Sequence, residues 1–250
     1  MNAAVRVEAM KLVRSRVGLI GSAAIVAGIL ALCGGMLLAL AAGDPQLVAK
    51  LGPDASLTWA GLWSTAAQIT SAGGLLAFGV VAAWLFGREF GDGTITGLFA
   101  LPVGRGAIAA AKLIVFALWA AAVGTLLAGA LLALGLIAGF GVPDAAAWAG
   151  AGRQIALGLF SAGLAVPAAW VATAARSLLG GVSVAIGLVV VAQVGVVAGA
   201  DGWMPLAAPA LWAISAGAAV SGVQLTVTLA FVALCAAGTV WWWHRLQLDR

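Results

Sequence analysis

The chain consists of long apolar stretches separated by short segments that carry nearly all of its charged residues. Each stretch is continuously apolar over about 20 residues or more, the length that a helix needs to cross the hydrocarbon core of a bilayer. A transmembrane β-strand would instead alternate apolar and polar residues over about 10 residues. We therefore predict an all-α integral membrane protein. Its six predicted spans are residues 17–42, 62–86, 113–140, 155–175, 178–200 and 222–242.

Composition excludes a soluble protein. Hydrophobic residues make up 64% of the 250 residues and charged residues only 8%, whereas ordinary soluble domains are roughly 25% charged. A chain with so few charged residues cannot cover a surface that faces water. The whole chain, residues 1–250, is therefore predicted to be a single transmembrane domain. The 35 glycines agree with this prediction, because small residues let membrane helices approach each other closely.

The basic residues predict the orientation of the spans, since short loops rich in Lys and Arg remain in the cytoplasm. With the N-terminus inside, ten of the twelve basic residues fall on the cytoplasmic side, and only Lys50 and Arg153 lie outside. We expect the protein in a bacterial plasma membrane, with both termini on the cytoplasmic side. The same bias explains the net charge of +4 without a nucleic-acid partner. It also accounts for Lys112, at the cytoplasmic start of the third span.

Two segments are neither spans nor ordinary loops. Residues 1–16 are predicted to form a helix that lies in the cytoplasmic interface. Leu12 and Val13 belong to its apolar face, and Glu8 is expected on a charged face. Residues 201–212 are too interrupted for a span and too apolar for a solvated loop, so we predict a short re-entrant or interfacial element on the outer side.

The inventory of reactive side chains argues against catalysis and against an internal source of energy. The single histidine, His244, follows Trp241 to Trp243, which we interpret as anchors at the inner interface. One histidine cannot supply the zinc ligands or the general base of an intramembrane protease. No acidic residue is expected at mid-membrane, where ion-coupled carriers keep one. A phosphate-binding loop of the GxxxxGK[ST] type does not occur, so the energy is expected to come from a partner.

The inner loop between the second and third spans, residues 88–105, is the one large enough to receive such a partner. Thr94 can cap the start of a helix, and Pro102 and Gly104 end it before Arg105. The loop is therefore predicted to contain a short cytoplasmic helix with an exposed apolar face. The apolar side chains of this helix are Ile95, Leu98, Phe99 and Leu101.

This loop resembles that of the integral membrane permease subunits of ABC-2 type ATP-binding-cassette exporters. In those subunits a Glu, a Gly-Thr pair, several apolar residues, a Pro-Val-Ser-Arg segment and a later Lys join the second and third helices. The chain has the same residue types in the same order and departs at Gly104, where Ser is more usual. The matching residues are Glu89, Gly93, Thr94, Leu98 to Leu101, Pro102, Val103, Arg105 and Lys112.

The resemblance implies a six-helix permease that pairs with a second permease copy, either identical or a paralogue, and with two cytoplasmic ATPase subunits. ATP and Mg²⁺ would be bound by the ATPases, and this chain is expected to bind no cofactor and to be no enzyme. Docking is expected to be mainly hydrophobic, with Glu89 and Arg105 at an exposed rim. The residues expected to dock the ATPase are Glu89, Gly93, Thr94, Ile95, Leu98, Phe99, Pro102 and Arg105.

The predicted function is therefore to form the translocation path of an ATP-driven exporter. Its substrate is expected to be hydrophobic or amphipathic, such as a drug, an antibiotic peptide or a lipid. Gln68 and Gln193 are the polar groups of the spans expected to meet the substrate, although each could instead bond a neighbouring helix. The alternative function is a membrane-embedded sensor or assembly factor that recruits a cytoplasmic partner without transport.

Overall fold

A computed structural model describes residues 2–43, 56–100 and 102–247. These residues form nine helices and no strand, which confirms the all-α prediction. Six helices are long and apolar enough to cross a membrane, as predicted. They are α2 (Arg16–Ala41), α3 (Trp59–Gly91), α5 (Arg105–Ile137), α6 (Ala145–Ala174), α7 (Leu178–Val197) and α9 (Gly222–Arg245). The three short helices are α1 (Asn2–Val13), α4 (Ile95–Phe99) and α8 (Ala208–Ile214).

Several helices extend beyond the apolar stretches from which the spans were predicted. Helix α5 begins at Arg105 rather than at residue 113, and α6 begins at Ala145 rather than at residue 155. The apolar stretch marks the part of a helix that suits lipid, whereas the helix itself continues through small and charged residues that also favour helical backbone. Lys112 and Arg153 consequently lie inside helices.

Three of the spans are irregular. Helices α2 and α3 each contain one turn of π-helix, at Ala24–Gly28 and Thr70–Gly74 respectively, and α6 is interrupted at Ala165. The interruption precedes Pro167, which has no backbone N–H and cannot continue the helical hydrogen bonds. At the π turn of α3, Gln154 Nε2 of α6 donates a hydrogen bond of 2.7 Å to Thr70 Oγ1, and both side chains are buried. This bond joins α3 to α6 in the interior.

Helix α3 is the centre of the bundle and packs against both α6 and α7. Its approach to α7 requires glycine at position 181, where an added Cβ would lie 2.6 Å from Ala83 Cβ and 2.8 Å from the Ala168 carbonyl oxygen. By contrast, only 17% of the apolar window of α7 and 11% of that of α9 are buried. The remaining apolar surface of these helices must be covered by lipid or by another protein.

Helix α1 packs against the first turns of α5. The prediction for its faces is wrong in two places. Glu8, which was assigned to a charged face, is buried together with Leu12, while Val13 of the predicted apolar face is 76% exposed. Amphipathicity alone cannot place Glu8, because its carboxylate is buried against a lysine from another helix.

The two ends of the bundle differ in charge. The end that we call the basic end carries α1, α4 and the last turn of α9, with Arg14, Arg88, Arg105 and Arg245 near it. At the opposite end, α8 packs between α3, α6 and α9. It overlaps residues 201–212, for which the sequence predicted a short re-entrant or interfacial element.

Candidate functional site

Four charged side chains meet inside the basic end of the bundle. Lys112 Nζ of α5 lies 2.9 Å from Glu8 Oε2 of α1 and 2.8 Å from Glu89 Oε1 of α3. Lys11 Nζ of α1 lies 2.6 Å from Glu8 Oε1 and 3.2 Å from Glu89 Oε1. We call these four residues the charge cluster. It joins the N-terminal helix to two of the spans.

Burial makes the charge cluster energetically demanding. Lys112 is 0% exposed and both glutamates are 2% exposed, so three charges have lost nearly all of their water. The three N–H donors of Lys112 are fully used, since the third bonds the carbonyl oxygen of Leu85 at 2.9 Å. Two carboxylates and two ammonium groups give the cluster no net charge. Each member therefore depends on the others for its stability.

The two cluster residues of α1 have shifted pKa values. Burial raises the pKa of the Glu8 carboxyl, but the charges of Lys112 and Lys11 and their hydrogen bonds lower it below its ordinary value of 4.5. Burial lowers the pKa of Lys11, but its hydrogen bond to Glu8 and the charges of both glutamates raise it above 10.5. Both shifts favour the ionised forms, so Glu8 and Lys11 are charged at neutral pH.

The predicted loop helix exists as α4, but its apolar face is not exposed as predicted. Ile95 is buried, and Leu98 and Phe99 are half-buried against the core of the chain. These three residues therefore fasten α4 to the spans, whereas Leu101 lies outside the described residues. The residues of the helix and its C-cap that face outward are Thr96, Gly97 and Ala100.

The other predicted docking residues have different surroundings. Glu89 does not lie at an exposed rim, because it is buried in the charge cluster. Arg105 is half-buried, with its guanidinium 4.5 Å from the centre of the Phe99 ring and a hydrogen bond to the Leu246 carbonyl oxygen. Thr94 occupies the N-cap of α4, but its side chain makes no capping hydrogen bond. Gly93, with φ +67°, and Pro102 are both exposed.

Trp243 connects α4 to the spans. It was interpreted as an interfacial anchor, but it is 0% exposed. Its ring makes edge contacts with the rings of Phe86 at 5.8 Å, Phe90 at 6.5 Å and Phe99 at 6.1 Å. Its Nε1 donates a hydrogen bond of 3.0 Å to Thr173 Oγ1 of α6. Because Trp243 packs against several helices at once, its position is explained by contacts within the protein rather than by the membrane interface.

A cavity of about 290 Å³ brings the two predicted substrate residues together. Gln68 of α3 and Gln193 of α7 both line it, together with Ser71, and α8 contributes apolar residues that include Leu211. Both glutamines are exposed rather than bonded inside the bundle. The two helices and α8 thus form a mixed polar and apolar cavity nearer the opposite end of the bundle.

The comparisons with known proteins identify the family. The family model for ABC-2 family transporter proteins matches residues 4–195, which is more than half of the chain. The chain belongs to the ABC-2 family of transporter proteins. The resemblance that the loop residues carried is therefore confirmed. No curated protein matches the chain.

Membership in the ABC-2 family indicates the general role of the chain. The chain is a multi-pass membrane protein and a membrane permease subunit, and the family implies association with ABC ATPase components. The matched region contains the charge cluster and α4, whereas α8 and α9 lie beyond it. Among the residues that the structure describes, no group of three His, Cys, Asp or Glu side chains could hold a metal ion.

Sequence reasoning missed Glu8 and Lys112 as members of the charge cluster. The predicted start of the third span at residue 113 left Lys112 outside the helix, where a lysine needs no partner. The observed start at Arg105 places it about 10 Å along the helix axis. An ionisable residue at that depth calls for a partner. The spacing of Glu8 and Lys11, which places both on one side of α1, indicates that these two side chains meet but not that Lys112 joins them.

The lowered pKa of Glu8 predicts how the stability of the ABC-2 protein depends on acid. Its ionised carboxylate stabilises the fold at pH values above about 4.5, and this contribution is lost as pH falls through the lower pKa of the folded state. Glu8→Gln should therefore lower the thermal unfolding midpoint at pH 7, and the difference from wild type should shrink below pH 4.5. Asp92→Asn, at an exposed ion pair with Arg88, is the matched control and should have little effect at either pH. A constant difference for Glu8→Gln across this range would contradict the prediction.

Proposed function

We propose that the chain forms the translocation path of an ATP-driven exporter for hydrophobic or amphipathic compounds. It would work with a second permease copy and with two ATPase subunits that bind ATP and Mg²⁺. The proposed location is a bacterial plasma membrane, with the basic end and both termini in the cytoplasm. The positive-inside bias supports this orientation, since the basic end carries most of the arginines.

The observation that carries the proposal is the attachment of α4. Its apolar side chains pack on the chain's own core, so the surface that the helix and its C-cap leave to face a partner consists of Thr96, Gly97 and Ala100. We infer that the ATPase binds this surface. A movement imposed on α4 would reach the spans through the packed contact of Phe99 with Trp243. The ATPase is thus proposed to bind this outward surface rather than an exposed apolar face of the helix.

The substrate side of the proposal is supported by the cavity that contains Gln68 and Gln193. Apolar walls with a few polar groups are typical of sites for small amphipathic ligands. We propose that both glutamines meet the substrate there. The second permease copy would cover apolar surface of the sparsely buried spans, of which α7 is one.

The test of the proposal is the variant Gly97→Trp. A Cβ added at Gly97 meets no atom within 4 Å, so the larger side chain should leave the permease folded. It should, however, block the small docking surface and reduce co-purification of the co-expressed ATPase at least about tenfold, equivalent to ~1.4 kcal/mol. Gly222→Trp, at an equally open position at the start of α9, is the matched control. Substrate-stimulated ATP hydrolysis is measured in parallel.

The outcomes separate transport from the alternative of a sensor or assembly factor. Loss of bound ATPase and of stimulated hydrolysis in Gly97→Trp alone would support the exporter. Full binding and full stimulation in that variant would contradict docking at α4. An ATPase that binds the wild-type protein but is stimulated by none of the drugs, peptides or lipids tested would contradict transport and favour recruitment.

A further inference from the structure

A larger cavity, of about 750 Å³, opens at the end of the bundle opposite the charge cluster. It lies among the first turns of α3, the first turns of α6 and the end of α8. We call it the tryptophan cavity, because Trp59 and Trp63 line it together with Ser64, Asp144 and Arg153. It is separate from the cavity of Gln68 and Gln193, although Ile214 of α8 contributes to both.

Three of the side chains that line the tryptophan cavity carry buried hydrogen-bond donors without acceptors. The indole Nε1 atoms of Trp59 and Trp63 and the hydroxyl of Ser64 are buried, and none has a hydrogen-bond partner in the described part of the chain. Trp63 is only 5% exposed and Ser64 only 9%. An indole nitrogen can only donate, and a buried donor without an acceptor costs about 1–3 kcal/mol. A ligand that supplied acceptors to these atoms would remove this cost.

Glycine at position 150 fixes one of these tryptophans in the cavity wall. A Cβ added at Gly150 would lie 2.3 Å from Trp63 Cδ1 and 2.6 Å from its Nε1. The ring of Trp63 therefore packs directly on the backbone of α6. Any other residue at this position would displace the indole, so the donor is held by the close packing of two helices.

Arg153 adds a positive charge to the same cavity. It lies about 12 Å along α6 from the first residue of that helix. Within the described ranges no carboxylate pairs with it, because the ion pairs there all lie at the basic end. The nearby carboxylate, Asp144, is exposed and accepts a hydrogen bond of 2.8 Å from the Ala147 N–H as the N-cap of α6. The guanidinium is thus available to a ligand.

We propose that the tryptophan cavity binds the anionic group, phosphate or carboxylate, of an amphipathic molecule. A guanidinium offers paired N–H donors whose geometry matches such oxyanions. The indole and hydroxyl donors supply further hydrogen bonds, and the faces of the tryptophan rings accommodate an apolar body. The inference concerns binding by the chain alone and does not rest on the proposed transport.

The test is calorimetric titration of the full chain in micelles of a neutral maltoside detergent. The probes are hexyl phosphate, hexanol and inorganic phosphate. Hexyl phosphate should bind saturably, and hexanol, which has the same apolar part, should bind far more weakly. Arg153→Gln should weaken hexyl phosphate binding about tenfold to a hundredfold, since charge-assisted hydrogen bonds are lost. Arg153→Lys should retain part of the affinity.

Matched controls and a second variant keep the test decisive. Arg6→Gln removes one exposed positive charge at the basic end and Trp148→Phe alters an exposed tryptophan of α6, so neither should change binding. Trp63→Phe keeps an aromatic ring but removes the donor, and should weaken binding severalfold even if Arg153→Gln proves unstable. Equal binding of hexyl phosphate and hexanol, or unchanged binding by Arg153→Gln, would overturn the proposal.

Inorganic phosphate distinguishes the two sources of the anion. Displacement of hexyl phosphate by a similar concentration of inorganic phosphate would identify a free anion as the ligand. Displacement only at a much higher concentration would identify an amphipathic molecule, such as a lipid with a phosphate headgroup. Both results require the anion site.

Discussion

Replacing Lys112 by methionine is expected to lower the free energy of unfolding by about 3–5 kcal/mol, because it removes one partner from a buried ionic network. Methionine fills a similar volume but leaves the carboxylates of Glu8 and Glu89 without their shared ammonium group. Only Lys11, which is partly exposed, then remains to balance two buried negative charges. The measurement is thermal or denaturant unfolding of the purified protein in detergent.

A second substitution tests whether charge is the cause. In the double variant Glu8→Gln with Lys112→Met, the remaining pair of Lys11 and Glu89 is neutral again. This double variant should be more stable than Lys112→Met alone. Arg14→Gln, which changes an exposed charge on the same side of the protein, should stay within about 0.5 kcal/mol of wild type. A double variant no more stable than the single one would rule out the electrostatic explanation.

The spans could be predicted from the sequence because their signal is local. A continuous apolar stretch of sufficient length is a property of the stretch itself, and lipid satisfies it without a specific partner. The position of α4 was likewise predictable, since Pro102 and Gly104 interrupt the helix before Arg105. Helix ends were less predictable, because α5 and α6 continue past the apolar residues that define the spans.

Burial at the basic end could not be predicted from local patterns. Glu8 and Lys112 are 104 positions apart, and nothing in the spacing of either segment shows that their side chains meet. Ile95 was expected to be exposed for the same reason, since an apolar face on a short helix fits either a partner protein or the chain's own core. In the folded protein this apolar face packs against the core that the spans form.

For the two glutamines, the sequence indicated the residues but not their position relative to each other. Gln68 and Gln193 were chosen because they are uncharged polar residues within apolar spans. The structure places both on one cavity, which the sequence could not show, because α3 and α7 are neighbours only in the folded bundle. The residue types suggested contact with a substrate, and the packing of the helices brings the two side chains to one cavity.

The largest effect on coupling is expected at Trp243. Trp243→Leu removes the ring that contacts Phe99 of α4 and Phe86 of α3, and it removes the hydrogen bond to Thr173. Truncating a fully buried tryptophan costs about 3–5 kcal/mol when alanine replaces it, and leucine should cost less because it refills part of the space. The outward surface around Gly97 is left unchanged by this substitution.

The ATPase should therefore still co-purify with Trp243→Leu, while substrate-stimulated ATP hydrolysis is lost. Trp241→Leu, on the same helix, is the matched control, because that tryptophan is exposed and the guanidinium of Arg245 lies over its ring. If Trp243→Leu proves too unstable to purify, Trp243→Phe retains an aromatic ring and should lose part of the stimulation. A folded Trp243→Leu protein with full stimulation would show that movement does not pass from α4 through Trp243. Loss of bound ATPase in this variant would show instead that the docking surface itself depends on the packing beneath α4.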